Sequence, residues 1–232
     1  MNNLKTQTAV LLTLLSLVLC TIPFANAYEY PNYEVWKASK YYTTEDALKI
    51  GEKLGIEWIP NGNNYIAKDK GFDVEQFRKG MDVELEHGKR AKITSVTSDN
   101  DLKTGKVALA HLNEFPTYYE ALEQMEIAAD AYWKSDHPLP IQSKENLDPV
   151  QTFTTEQAVA VGEKLGIKWD QFDKEQFRAG MDIELEHGSV DPVTDVTKDD
   201  PLLTGKIVLG HLVEFPDYYN RLYEMEHQLE NP

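Results

Sequence analysis

The sequence predicts an all-α fold of two tandem homologous modules, each of about four short helices, and three observations carry that expectation. At a fixed offset of one hundred residues, FDVEQFRKGMDVELEHG (72–88) returns as FDKEQFRAGMDIELEHG (172–188). At the same offset TGKVALAHLNEFPTYYEALEQME (104–126) returns as TGKIVLGHLVEFPDYYNRLYEME (204–226). Apolar residues recur at helical spacing inside these strings, with Thr, Asp and Gly punctuation around them. No segment makes a convincing strand: AKITSVTS and VDPVTDVT are brief extended pieces at most, and Pro192 weakens any ladder in the second.

Residues 1–27 read as a signal peptide. MNNLKTQ carries Lys5, AVLLTLLSLVL is an apolar run, and Ala25-Asn26-Ala27 has the small-x-small form of a cleavage site. The run falls short of the roughly 20 residues that span a bilayer. The expectation is an exported protein, secreted, periplasmic or in the extracytoplasmic cell envelope, with a retained N-terminal anchor as the alternative. Cys20 is the only cysteine, and Leu19 before it does not suit lipid attachment. The mature chain then has no thiol, so a metal must be held by His, carboxylate, backbone or water. The formal charge of -16 over 232 residues becomes -17 when Lys5 leaves with the leader. That balance excludes nucleic acid and direct anionic-membrane binding, and favours cations or basic partners.

Residues 28–39 form an N-terminal extension, 40–133 the first module, 134–150 a polar Pro-containing linker, and 151–230 the second module. The first helix of each module opens after Thr43-Thr44 or Thr154-Thr155 and stops near Gly55 or Gly166. ALKIGEKLGIEW and AVAVGEKLGIKW align at an offset of 111, so the first copy carries an insertion around IPNGNNYIAKDKG, expected as a surface loop. The second helix starts at Asp73 or Asp173, with Gln three residues on as in a capping box, and Gly88 or Gly188 supplies the stop. A Thr- and Asp-rich loop leads to a third helix near Thr104 or Thr204. Pro116 and Pro216 are expected in the first turn of a fourth helix.

In the second helix Phe77, Met81, Glu84 and Leu85 share a face, which brings Glu84 to the apolar side with His87 three residues on. Arg78, Asp82 and Glu86 form a separate stripe expected to face water. Gly80 leaves space beside Glu84. The third helix carries His111 and Glu114, again three apart, and the second copy repeats the set as Glu184, His187, His211 and Glu214. Two imidazoles and two carboxylates suit zinc, iron, manganese or copper better than calcium. One ion per module, held where the two helices face each other, is the simpler expectation. A dinuclear centre across the modules is the alternative, with Glu126 and Glu226 joining only if the fourth helix folds back. The competing readings are a buried hydrogen-bonded network with no ion and a metal-free proton-transfer or small-molecule site.

Other features carry less. Met81, Met125, Met181 and Met225 fit core packing, Trp58 and Trp169 look like core anchors, and each Tyr-Tyr pair is expected to put one ring inward and one outward. Lys106 and Lys206 lack a phosphate-binding loop, the acidic loops lack EF-hand spacing, and no serine recurs near the histidines.

The E-L-E-H-G segment, together with the A-H-L-x-E-x-P-D-Y-Y pattern from which AHLNEFPTYY departs at Thr117 and GHLVEFPDYY at Gly210, resembles a small uncharacterised bacterial and archaeal helical domain family, here in tandem duplicate. The resemblance implies no activity and points to the same Glu and His positions. The sequence therefore leads to an exported acidic protein that binds transition-metal ions for uptake, storage, delivery or structure. A non-catalytic envelope or subunit-interaction protein is one alternative. A metal-dependent enzyme is another, in which an open metal position would activate water or a redox partner.

Overall fold

The computed structural model describes residues 41–144, 147 and 151–231. The expected leader, its cleavage site and the extension to residue 39 lie outside the described residues. The first module runs α1 (Thr44–Lys53), β1 (Trp58–Asn61), β2 (Asn64–Ala67), α2 (Val74–Val83), a 3-10 turn (Glu84–His87), α3 (Asp101–Glu114) and α4 (Tyr118–Trp133). The second runs α5 (Thr155–Lys164), α6 (Lys174–Ile183), a 3-10 turn (Glu184–His187), α7 (Pro201–Glu214) and α8 (Tyr218–Glu230). Four helices per module, in the same order and with the same partners, make the fold all-α as the repeat implied.

Local chemistry sets most boundaries. Thr43 and Thr154 are N-caps in reciprocal capping boxes with Asp46 and Gln157. Helices α1 and α5 end at Gly55 (φ 84°) and Gly166 (φ 77°), where only glycine is unstrained. The Ile56 amide donates to Gly51 O at 2.9 Å and the Gly55 amide to Glu52 O at 3.0 Å, the double bond of a Schellman ending. Asp73 and Asp173 cap α2 and α6 through the amides of Gln76 and Gln176. The glutamine side chains do not return the bond: Gln76 donates to Glu120, and Gln176 to Ile141 O and Pro216 O.

Four expectations need correcting. The insertion in the first copy is a two-stranded antiparallel hairpin, Trp58 pairing with Ala67 and Asn61 with Asn64. Gly62 (φ 63°) at the first loop position supplies the conformation such a tight turn requires. Helices α3 and α7 begin about a turn earlier than Thr104 and Thr204, capped by Asn100 and Asp200. Pro116 and Pro216 precede the N-caps Thr117 and Asp217 instead of entering the helices, and they hold Phe115 and Phe215 extended, which ends α3 and α7. Both tyrosines of each pair, Tyr118 and Tyr119, Tyr218 and Tyr219, are buried.

The modules pack through a pseudo-two-fold relation. Helix α4 lies against α8, α3 against the second 3-10 turn, and α7 against the first. Lys106 donates to Asp195 O at 3.0 Å, and Lys206 to Ser95 O at 3.2 Å, so the lysines tie one module to the loop of the other. Val96, Val107, Val196 and Ile207 form a buried apolar cluster drawn from both modules. Contact of i with j in the other copy, and of j with i, is the pattern of an isologous interface.

Ile207 is fully buried in that shared cluster. Ile207→Ala should therefore lower stability by about 2–4 kcal/mol, read as a reduced urea midpoint with unchanged slope. A loss below about 0.5 kcal/mol would mean that the inter-module core does not contribute to folding.

Candidate metal centre

The site begins with a change of helix type. After Val83 the chain tightens from α to 3-10, in which residues three apart eclipse one another. Glu84 and His87 therefore point the same way, and Glu86 is turned from the outer stripe where an α-helical period would leave it. Glu86 is buried, and Glu186 is part-buried in the equivalent turn, so the expectation that Glu86 faces water fails. The other acid of that stripe is also engaged: Asp82 accepts from the Tyr42 amide at 2.7 Å and from Arg78 at 2.7 Å.

A loop fixes each turn from behind. The carbonyl of His87 accepts from the amides of Val96 (2.8 Å) and Thr97 (2.9 Å) and from the Thr97 hydroxyl (3.1 Å). His187 is held in the same way by Val196 and Thr197. Asp99 accepts from the Lys89 amide, and its carboxylate crowds Gly88, where a Cβ would sit 1.9 Å from Oδ1. Gly88 is thus required for close approach and not for a left-handed stop, its φ being -88°.

The two donor triangles form across the modules, while within each module Glu84 or Glu184 lies beside both histidines of its own copy. His87 Nε2 lies 3.0 Å from His211 Nε2, and Glu86 Oε1 lies 3.4 Å from the first and 3.3 Å from the second. In the mirror cluster Glu186 Oε1 lies 3.4 Å from His187 Nε2 and 3.3 Å from His111 Nδ1. The ring centroids of the two histidines are 4.8 Å apart in each cluster. A tetrahedral ion with bonds of about 2.0–2.1 Å separates its ligands by about 3.3–3.4 Å. The three edges of the first triangle and the two Glu186 edges of the second are close to that separation, so the two clusters, Glu86–His87–His211 and His111–Glu186–His187, could each hold a metal ion.

Glu84 and Glu184, almost wholly buried, sit between the clusters. Tyr119 donates to Glu84 Oε1 and Tyr219 to Glu184 Oε1, both at 2.8 Å. Glu84 Oε2 lies 3.6 Å from His87 Nε2, and Glu184 Oε2 lies 3.3 Å from His187 Nε2. Yet Glu84 Oε2, Glu184 Oε2, His111 Nδ1 and His187 Nε2 make no aligned hydrogen bond, and neither do the Nδ1 atoms of His87 and His187. Buried polar atoms normally find partners. Here His111 Nδ1 and His187 Nε2 both face Glu186 Oε1, at 3.3 and 3.4 Å, without a bond to it. Tyr118 and Tyr218 complete the walls, stacked on His111 and His211 with ring centroids 4.3 Å apart.

Burial is the leading influence on every group in the network. It pushes Glu84 up to about 8, with the charge of Glu86 adding to it, and Glu186 up to about 8 despite nearby His187. His87 is held down at about 4, and His111 well below the usual imidazole range. At His211 the carboxylates of Glu184 and Glu86 outweigh burial and raise it well above that range. At Glu86 burial is outweighed by His211, His87 and Arg90, which bring it down to about 2. Symmetry-related residues are thus shifted in opposite directions, Glu84 up and Glu184 down, Glu86 down and Glu186 up, which limits buried charge in the network.

Glu114 and Glu214 stay outside the donor triangles. Burial raises both; Glu114 is steadied by a hydrogen bond with Glu186, and Glu214 is raised further by Glu86 and Glu126. Glu126 and Glu226, on helices that do fold back, are each pushed to about 8. These four form an outer carboxylate layer beside the inner donors. The residues that helical periodicity missed are Glu86 and Glu186. Their signal was identity in both copies of E-L-E-H, set aside because the α-helical period was carried through a 3-10 turn.

Two stretches, residues 47–128 and 158–228, match a domain family described as a protein of unknown function, DUF5661, and the chain belongs to that family as a tandem pair. No curated protein and no solved structure matches the chain.

Gly80 makes the Tyr119 contact possible, since a Cβ there would lie 2.2 Å from Tyr119 Cε2. Gly80→Ala gains up to about 1 kcal/mol of helix propensity, but overpacking costs about 1–3 kcal/mol. The variant should be less stable to urea, with altered near-ultraviolet tyrosine circular dichroism. A more stable variant would show that the ring can leave Glu84 without cost.

Proposed function

We propose that this tandem DUF5661 chain is an exported protein that holds two divalent transition-metal ions between its modules, and that holding them, for uptake, storage, delivery or structure, is its role in place of turnover. The reading rests on one observation above the rest: the donor triangle of 3.0, 3.3 and 3.4 Å among buried atoms of Glu86, His87 and His211, with its counterpart at His111, Glu186 and His187. Charge supports it. Glu84, Glu86, Glu184 and Glu186 as carboxylates, with four neutral imidazoles, neutralise two divalent ions, and a buried site favours that balance. Burial also argues for retention over catalysis, because structural sites are closed whereas catalytic ones keep an accessible position. Among the metals the sequence suggested, zinc suits the triangle best and needs no thiolate. The rival reading, an ion-free Glu-His network, is favoured by the Tyr119 and Tyr219 bonds to Glu84 and Glu184.

Elemental analysis of protein purified without an affinity tag should find about two equivalents of one transition metal. The His87→Ala, His211→Ala double variant should retain only one of them. Metal at background in the unaltered protein, also after incubation with zinc, would sink the proposal. Chelation should lower the melting temperature by several degrees and zinc restore it, since ligand at 100 times Kd adds about 2.7 kcal/mol.

The raised groups of the network give a second expectation. With Glu84 and Glu186 at about 8 and His211 raised, these groups carry protons at pH 7 that an ion must displace. Zinc loading should release protons, and affinity should rise with pH up to about 8 and fall on acidification. Calorimetry in two buffers of different ionisation enthalpy checks this: equal apparent heats would contradict it.

A further inference from the structure

The carboxylates of Glu84 and Glu184 have two oxygens in two different environments, and the division is the same in both copies. Glu84 Oε2 lies 3.6 Å from His87 Nε2, the nitrogen that also meets His211 and Glu86. Its Oε1 accepts from Tyr119 and lies 3.6 Å from His111 Nε2. That is the far side of the His111 ring, whose Nδ1 faces the other cluster at Glu186. In mirror fashion Glu184 Oε2 lies 3.3 Å from His187 Nε2, while its Oε1 accepts from Tyr219 and lies 3.0 Å from His211 Nδ1. His211 turns its opposite nitrogen, Nε2, to Glu86 and His87.

We propose that Glu84 and Glu184 each serve both metal sites at once, as the fourth ligand of one through Oε2 and as the partner that orients the histidine ligand of the other through Oε1. Glu84 Oε2 stands at the His87 corner of the Glu86–His87–His211 triangle and closes it on turning toward the other two donors, while Oε1 faces His111. Glu184 Oε2 stands likewise at the His187 corner of the His111–Glu186–His187 triangle, while Oε1 faces His211. Each site then has two imidazole nitrogens and two carboxylate oxygens, the closed four-coordinate set that zinc accepts and that a six-coordinate ion does not. A carboxylate oxygen accepting from the far ring nitrogen fixes the tautomer, so that the near nitrogen presents its lone pair to the ion. Glu184 to His211 is at hydrogen-bonding distance, 3.0 Å, and Glu84 to His111, at 3.6 Å, has to shorten to act in the same way; through these two contacts each inner glutamate touches both sites. The orphaned Oε2 atoms fit this: each is buried, unbonded and aimed at a ligand nitrogen. Tyr119 and Tyr219 occupy part of Oε1 and leave Oε2 as the oxygen free for an ion.

This inference rests on the proposed metal binding, and its test separates the two. The metal-free full chain is titrated with zinc against a chromophoric chelator, for the unaltered protein and for Glu84→Gln, Glu184→Gln and Glu86→Gln. Glu86 faces one site only, so Glu86→Gln should leave one equivalent of unaltered affinity and weaken the other. Glu84→Gln should leave no equivalent of unaltered affinity: one site loses a ligand and the other its orienting partner, each weakened about tenfold or more. Glu184→Gln should do the same. If Glu84→Gln or Glu184→Gln retains one equivalent at unaltered affinity, the double role is overturned while metal binding stands. If the unaltered chain takes up no zinc, the proposed function itself fails. The closure of each site can be read without any variant, through cobalt loaded into the unaltered chain. Intense visible absorption marks four-coordination, and a weak six-coordinate spectrum would overturn Glu84 and Glu184 as fourth ligands.

Discussion

The structure depends on keeping a set of imidazoles and carboxylates dry where the modules meet. Glu84, His87, His111, Glu184, His187 and His211 are nearly inaccessible to water. Desolvating such groups costs several kcal/mol each unless charge and hydrogen bonding compensate. The elements around them provide that compensation or hold the geometry it needs. The tightened turns at Glu84–His87 and Glu184–His187 aim the side chains, the Thr97 and Thr197 loops pin the His87 and His187 carbonyls, and the tyrosines saturate one oxygen of each inner glutamate. The glycines at 80, 88, 180 and 188 matter for a related reason. A methyl group at any of them would enter the space of a ring or carboxylate that the site uses.

Neither module completes this arrangement by itself. Each contributes one Glu-His turn to one cluster and the crossing histidine to the other, and the Lys106 and Lys206 ties follow the same exchange. A module of this size buries only a modest core, and the shared Val96, Val107, Val196 and Ile207 cluster extends it. Apolar packing and ion-binding geometry therefore select the same relative placement. An ion bridging residues of both modules would bind this placement and not the separated one, which links metal occupancy to the stability of the interface.

Much of the fold was legible in the sequence because it is written locally. Thr43, Thr154, Asp73 and Asp173 cap helices where their residue types suggest, and Gly55 and Gly166 end them with the expected positive φ. The hairpin at Trp58–Ala67 was missed because Pro60 and the Gly-Asn run read as loop, although Gly62 is the type of residue a tight hairpin turn uses. At the site, Glu84, His87, His111 and their counterparts were legible from repetition and apolar phase. Which histidine meets which was not, because a 100-residue repeat gives the same string for contacts within a module and between modules. Only packing separates His87–His111 from His87–His211. Glu86 was hidden by a smaller cause: a change from 3.6 to 3.0 residues per turn over four residues leaves no mark in composition.

Joining the two copies in one chain replaces an encounter between molecules with a tethered one, at an effective concentration in the millimolar range for a short linker. It also frees the copies to differ wherever the site does not reach. Asp217, where the first copy has Thr117, accepts from Trp133 Nε1 at 2.8 Å and pairs with Arg221, which lies 5.0 Å from the centre of the Tyr132 ring. Asn220, where the first copy has Glu120, binds the chain between the modules at Gln142 O and the Lys144 amide. Among the described residues the hairpin occurs in the first copy only. These differences are one-sided solutions that a symmetric pair of separate molecules could not adopt independently. Against that freedom, Glu84, Glu86, His87, Tyr118, Tyr119 and their counterparts are the same residues in both copies. The two-fold is therefore retained where the side chains of one module must complete the cluster of the other, and relaxed where they need not.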